Sequence, residues 1–167
     1  AINMRYLDKL PVGIATFSAG QQGFIRGLVA KSHAIGQGDL LYALELLKKD
    51  GPWVNKEKYK KFNGVLRYSQ NTGNTKFNIT AMGYGGRWNS TDQIPQRAVD
   101  NNLISRLDTI DPSDGAEAHR FSLSSALQHT SRYGLTKINL YTLHTNLALF
   151  SNFTYFLDDP VNGDQII

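Results

Sequence analysis

No cysteine occurs among the 167 residues, so neither a disulfide framework nor a thiolate metal site is open to this chain. Long apolar runs are missing too. The longest, Leu40 to Leu47, is interrupted by Glu45, and a membrane-spanning helix needs about 20 apolar residues. A helical span is therefore excluded. No basic stretch leads into an apolar segment at the start, so no signal peptide is expected within the chain. It opens on Ala1 rather than Met, which reads as a piece of something longer. The net charge of +4 is mild, and no nucleic-acid motif accompanies the basic residues. No nucleic-acid partner is expected.

Catalytic and metal constellations are equally scarce. His33, His119, His129 and His144 lack metal-ligand spacing, and each reads as a polar residue of a loop or a watery interior. Asp158 to Asp164 has the Asn162-Gly163 pair of a calcium loop. However, Pro160 takes a ligand position and the bidentate Glu is absent. The chain is expected to be no enzyme and to hold no metal or cofactor.

What it does contain is two-residue periodicity, with 41% apolar and 11% aromatic residues to supply it. In Lys61 to Ser69, Phe62, Gly64, Leu66 and Tyr68 alternate with Asn63, Val65, Arg67 and Ser69. Phe77, Ile79, Ala81 and Gly83 repeat the pattern, as do Phe121, Leu123, Ser125 and Leu127. Tyr141, Leu143, Leu147 and Leu149 alternate with Thr142, His144 and Asn146. Phe24 to Ile35 is a weaker run. Leu40 to Leu47 places Leu40, Tyr42, Leu44 and Leu46 on one side, although Leu40, Leu44 and Leu47 could also share a helical face. Its tight bracketing by Gly38 and Gly51-Pro52 favours a strand.

The connections alternate between short and long. Gly36 to Gly38, Asn71 to Asn74 and Ser131 to Gly134 are tight. Asp50 to Tyr59, Gly85 to Ala118 and the stretch from Ser151 are long. Long loops gathered at one end, strands of about ten residues and aromatic clusters beside the loops are the signature of a transmembrane β-barrel. The aromatics in question are Trp53, Tyr59, Phe62, Tyr84, Trp88, Phe150, Phe153, Tyr155 and Phe156. The fold class expected is all-β: about seven meandering antiparallel strands from Val12 onward, a segment of a larger barrel. A trailing Gln165-Ile166-Ile167 offers no closing strand. Two alternatives are a small complete outer-membrane barrel with a structural or adhesive role and a soluble β-sandwich binding module.

Six lysines crowd one region: Lys48, Lys49, Lys56, Lys58, Lys60 and Lys61. The ordinary reading is a solvated loop; the sharper one is a patch facing lipid phosphates. The long loop is the best candidate for ligand contact, because structureless loops of this length are usually functional or disordered. Arg87, Asn89, Asp92, Gln93, Gln96 and Arg97 offer donors and acceptors, and Trp88 offers a stacking surface. The competing reading is a loop that folds over the sheet's end and packs on its neighbours. Asn63, Arg67, Asn78 and Thr80 read as interior-facing polar residues.

The runs Trp88 to Val99, Ile110 to Gly115, Asp50 to Trp53 and Phe150 to Pro160 resemble stretches of one group of TonB-dependent outer-membrane receptors in order and spacing. The likeness covers about Val12 to Gln165. It implies a barrel of 22 strands around an N-terminal plug, in the bacterial outer membrane. Residues 1–11 would then be the end of the plug and its linker, and residues 12–167 a partial barrel. It also implies a small-molecule ligand, outer-membrane lipid and the TonB complex as partners. The TonB box and most of the plug would lie upstream. The solute could be of siderophore, cobalamin or carbohydrate class. Gly20 to Gln22 would be a short external turn, the three tight turns would be periplasmic and the long loops external.

Overall fold

A computed structural model describes residues 6–90, 93–151, 153–155, 161 and 164–166. Seven strands run in chain order as one antiparallel meander: β1 (Ile14–Ala19), β2 (Ile25–Ile35), β3 (Gly38–Lys49), β4 (Tyr59–Thr72), β5 (Thr75–Asn89), β6 (Gly115–Ser131) and β7 (Gly134–Phe150). A short helix, α1 (Gln96–Asp100), lies between β5 and β6. Two three-residue strands, β8 (Phe153–Tyr155) and β9 (Asp164–Ile166), pair only with each other. Gln165 and Ile166 thus belong to a strand of this small sheet rather than trailing free.

The ambiguous segment Leu40 to Leu47 is strand. It pairs along its length with β2 on one side and β4 on the other, and this tertiary pairing overrides the helix propensity of Leu, Ala and Glu. Three two-residue turns close one end of the sheet, after the pairs Ile35–Gly38, Thr72–Thr75 and Ser131–Gly134. Gly36 and Gly73 take positive φ at the first turn position, which side chains disfavour there. All the longer connections gather at the opposite end.

Two expected boundaries move. The loop read as Gly85 to Ala118 contracts to residues 90–114, because Gly85 and Gly86 continue the ladder opposite His119 and Ala118. An ideal Cβ on Gly86 would stand 3.1 Å from the Tyr84 ring carbon bearing the hydroxyl, so absence of a side chain there admits the ring. The glycine pair is an accommodation within a strand, not a break.

Successive strand residues point to opposite faces, so the register assigns each side chain to one. The first face carries Phe17, Ile25, Val29, Leu40, Leu44, Leu46, Phe62, Leu66, Ile79, Phe121, Leu123, Ile138 and Leu140. The second carries Glu45, Lys61, Asn63, Arg67, Ser69, Asn78, Thr80, Ser124, Gln128, Lys137 and Asn139. Among the described residues no other element packs on the apolar face. Leu66 is 50% exposed and Leu123 44%, and among the described residues only Ala30, Leu41 and Ala116 are buried apolar ones. Two facing sheets would bury both leucines, so a sandwich core is absent from the described residues. Strand β7 departs from the pattern: Leu143, Leu147 and Leu149 point to the polar face, while His144 and Asn146 point to the apolar one.

The apolar band crosses the strands obliquely. Its lower edge falls between Val29 and Lys31 on β2, between Tyr68 and Gln70 on β4, and between Phe77 and Thr75 on β5. Its upper edge falls between Leu46 and Lys48 on β3, between Phe121 and His119 on β6, and between Leu140 and Thr142 on β7. Both edges drop by about three register rows across the sheet. That is about 20 Å over the three strand spacings from β2 to β5 at the lower edge and the four from β3 to β7 at the upper, about 14–19 Å of width, a slant of about 45–55°.

The four histidines all lie on this apolar face, contrary to the interior or loop positions expected of them. His119 and His129 border the band, and His33 and His144 lie one row beyond its edge. His33 stacks on Tyr42 at 5.8 Å between ring centroids, and His129 shares a 2.8 Å hydrogen bond with Thr75. An imidazole suits such an edge, because its body is apolar and its tip polar.

Candidate functional site

The polar face is built around Arg67 on β4. Its guanidinium donates to Thr80 Oγ1 at 2.7 Å and Asn78 Oδ1 at 3.1 Å on β5, and to Asp8 Oδ1 at 2.6 and 3.2 Å. The Tyr6 ring lies 5.8 Å from the guanidinium carbon. Five donors in a fixed fork allow one side chain to hold three partners at once. Thr80 is 1% exposed, so without Arg67 its hydroxyl would lose its only hydrogen-bond partner among the described residues.

Through these contacts the segment before β1 is laid across the sheet. Tyr6 donates to Met82 Sδ on β5, Asp8 meets Arg67 and Ser69 on β4, Lys9 pairs with Asp39 on β3 at 2.8 Å, and the Leu10 amide donates to Ser32 on β2. The chain steps over four neighbouring strands before entering β1. Beside it opens a cleft of about 660 Å³, whose polar lining includes Arg67, Lys76, Asn78, Gln128, Lys137 and Asn139. Nearer the long loops, Glu45 bridges Arg26 at 2.5 Å and Lys61 at 2.8 Å on the same face.

The hydrogen bond from Arg67 holds the Asp8 carboxyl below its ordinary value of 3.8, outweighing the opposing desolvation, and Ser69 adds to it. A depressed carboxylate stabilises the docked segment fully above 3.8 and loses that contribution as pH falls through the lowered value. Hydrogen exchange at the Leu10 amide, corrected for its intrinsic rate, is therefore expected to accelerate below pH 3.8 in the native protein. In an Asp8→Asn variant the amide is expected to be loose already at neutral pH, with no further acid step. A native acid step of equal size in that variant would assign the loosening to another group.

The candidate ligand residues of the long loop do not converge. Arg87 points to the apolar face and Trp88 to the polar one. Trp88 meets Tyr59 edge-on at 6.1 Å. Asn89 ties the end of β5 to the loop before β4, its amide donating to Glu57 O at 2.7 Å and its side chain to Lys56 O at 2.9 Å. Gln93 is exposed in the loop, Arg97 lies in α1, and Asp92 falls outside the described residues. Tyr59, Tyr84 and Trp88 share the polar face, so they form no aromatic ring on the apolar one; the aromatics there are Phe17, Tyr42, Phe62, Tyr68, Phe77, Phe121 and Phe150.

The loops form one connected cap. Val54 donates to Leu107 O, Asn55 to Pro112 O, and Asp50 to Gln22 O. Asp111 closes an Asx turn on Ser113 at 2.8 Å. Among the described residues, no cluster of three metal-ligating side chains occurs; residues 158–160 and 162–163 of the calcium-like stretch lie outside them. Sequence reasoning found Arg67 as a polar interior residue but missed its partner Asp8, which lies 59 residues away in an irregular segment with no periodic signal. No family model, curated protein or solved structure matches this chain.

Proposed function

We propose that this chain is a sector of a TonB-dependent receptor barrel in a bacterial outer membrane, which takes up a scarce solute of siderophore, cobalamin or carbohydrate class. The observation that carries the membrane part is the slanted apolar band. Strands of such barrels tilt by about 35–45°, so a belt level with the membrane must cross the register rows obliquely, and the band here crosses them in that manner, at an equal or somewhat steeper angle. On β3 to β6 the band runs over about seven to nine residues, about 23–30 Å along a strand and about 18–23 Å along the membrane normal, close to the apolar height of an outer-membrane barrel.

The polar face then lines the interior, and residues 6–11 are the last stretch of a plug entering β1. The edges of β1 and β7 need further strands, because backbone groups left unpaired in hydrocarbon cost several kcal/mol each. The receptor part rests on the resemblance of the runs Trp88 to Val99, Ile110 to Gly115, Asp50 to Trp53 and Phe150 to Pro160, and energy coupling would run through the plug to the TonB complex.

Two measurements test this. The intact protein, refolded in detergent, should migrate faster on a gel unheated than boiled. Cells lacking it should lose uptake of one scarce solute, as should cells lacking TonB. Heat-independent migration with cooperative folding in plain buffer would overturn the membrane reading. Uptake indifferent to TonB would overturn the receptor reading alone.

A further inference from the structure

The structure divides the lysine-rich region in two. Lys49 pairs with Glu57 at 3.2 Å, Lys56 with Asp50 at 3.8 Å and Lys61 with Glu45 at 2.8 Å. Lys48 and Lys60 have no carboxylate partner among the described residues, and neither does Arg87. These three are direct cross-strand neighbours: Lys48 stands opposite Lys60, and Lys60 opposite Arg87. All are exposed on the apolar face. Glu117 continues the row on β6 opposite Arg87 and also lines the groove below; its Oε1 is hydrogen-bonded to His119 at 2.8 Å, and it forms no ion pair with Arg87. Like charges directly opposite each other destabilise a sheet, so this row is costly unless an anion lies against it.

Immediately below the row the face is hollowed into a groove of about 630 Å³. Phe17, Leu46 and Phe62 form its apolar wall, and Gly27 and Gly85, which flank Leu46 and Phe62 in one register row, leave the room between them. An apolar trough ending in three cations without ion pairs is complementary to an acyl chain with an anionic head, and a phosphate, with several acceptor oxygens, suits three cations better than a single carboxylate does. We infer that Lys48, Lys60 and Arg87 bind the phosphate of a phosphorylated acyl lipid whose chain lies in the groove walled by Phe17, Leu46 and Phe62. This inference rests on the membrane reading above and goes beyond it, since an outer-membrane barrel needs only an apolar belt and no particular headgroup.

The test uses the intact protein in detergent, with lipid binding followed by native mass spectrometry. The probes are dioleoyl phosphatidic acid, dioleoylglycerol and inorganic phosphate. Phosphatidic acid should bind about a hundredfold more tightly than dioleoylglycerol, the combined effect of three cations near one anionic headgroup. The variant Lys48→Gln/Lys60→Gln/Arg87→Gln should lose that preference while keeping its affinity for dioleoylglycerol. Lys60→Gln alone, the mildest change, should lose about fivefold. Lys56→Gln/Lys58→Gln, in the neighbouring loop, should change nothing. Undiminished phosphatidic acid binding in the triple variant would overturn the site, and so would displacement of the lipid by inorganic phosphate at equal concentration. A native protein that inserts into dioleoyl phosphatidylcholine vesicles yet binds both lipids equally in detergent overturns the site alone. A native protein that enters no vesicle, whatever its composition, overturns the membrane reading with it.

Discussion

Arginine at position 123 is expected to destabilise the protein in lipid vesicles by about 2–4 kcal/mol, the cost of a cation on the lipid face near the membrane midplane. Arginine at position 122 is expected to cost about 0.5 kcal/mol, the scale of an ordinary surface change. The two residues are adjacent on β6 and share its backbone environment. They differ in face: Leu123 stands in the middle of the apolar band, in one row with Leu66 on β4, whereas Ser122 stands opposite Met82 on the other side. Leu66→Arg should reproduce the loss, since it places the same charge in the same row two strands away. Urea unfolding of the intact protein in vesicles, monitored by tryptophan fluorescence, measures all three. If residues 122 and 123 respond alike, both faces meet similar surroundings and the membrane assignment fails. If Ser122→Arg is the more damaging, the polar face is the buried one and the orientation is reversed.

The contrast depends on face, which was legible in the sequence for β3 to β6 but not for β7, whose Leu143, Leu147 and Leu149 fall on the polar side. The alternation of Phe62, Gly64, Leu66 and Tyr68 with Asn63, Val65, Arg67 and Ser69 is a local signal, and the register keeps it intact. The tight turns were legible for the same reason, since Gly36 and Gly73 announce positions where φ must be positive. Features set by offset between strands were not legible. The slant of the apolar band exists only once β2 is aligned with β3, and β3 with β4. So do the cation row of Lys48, Lys60 and Arg87 and the bordering histidines. Read singly, His129 is a polar residue near a turn; read in register, it lies one step below Leu127 on the band's edge. Glycine misled where it served packing: Gly85-Gly86 looks like a loop entry but lies within the ladder. The long loop's residues were grouped by proximity in sequence, yet strand alternation sends Arg87 and Trp88 to opposite faces.

Replacing Arg67 by leucine is expected to release the segment 6–11 from the sheet. Arg67 is 10% exposed at its side chain, and Asp8, its ionic partner, is 71% exposed. A hydrogen bond to a charged group contributes about 1.5–3 kcal/mol when buried. Solvent screening of Asp8 reduces its share. The docked segment should therefore lose about 1–2 kcal/mol, about a tenfold gain in its open population. Hydrogen exchange at Leu10, whose amide donates to Ser32, reads that gain directly. Arg67→Lys should fall between the two, because a single ammonium cannot serve Thr80, Asn78 and Asp8 with the guanidinium's geometry. Two effects have to be separated: loss of the link to Asp8, and disturbance of the sheet where Thr80 loses its donor. A double-mutant cycle does so. If the link dominates, Asp8→Asn loosens the segment in the native background and adds nothing after Arg67→Leu. If instead the two changes add fully, Arg67 acts on β5 alone, and the segment is held by Lys9 and Leu10 without it.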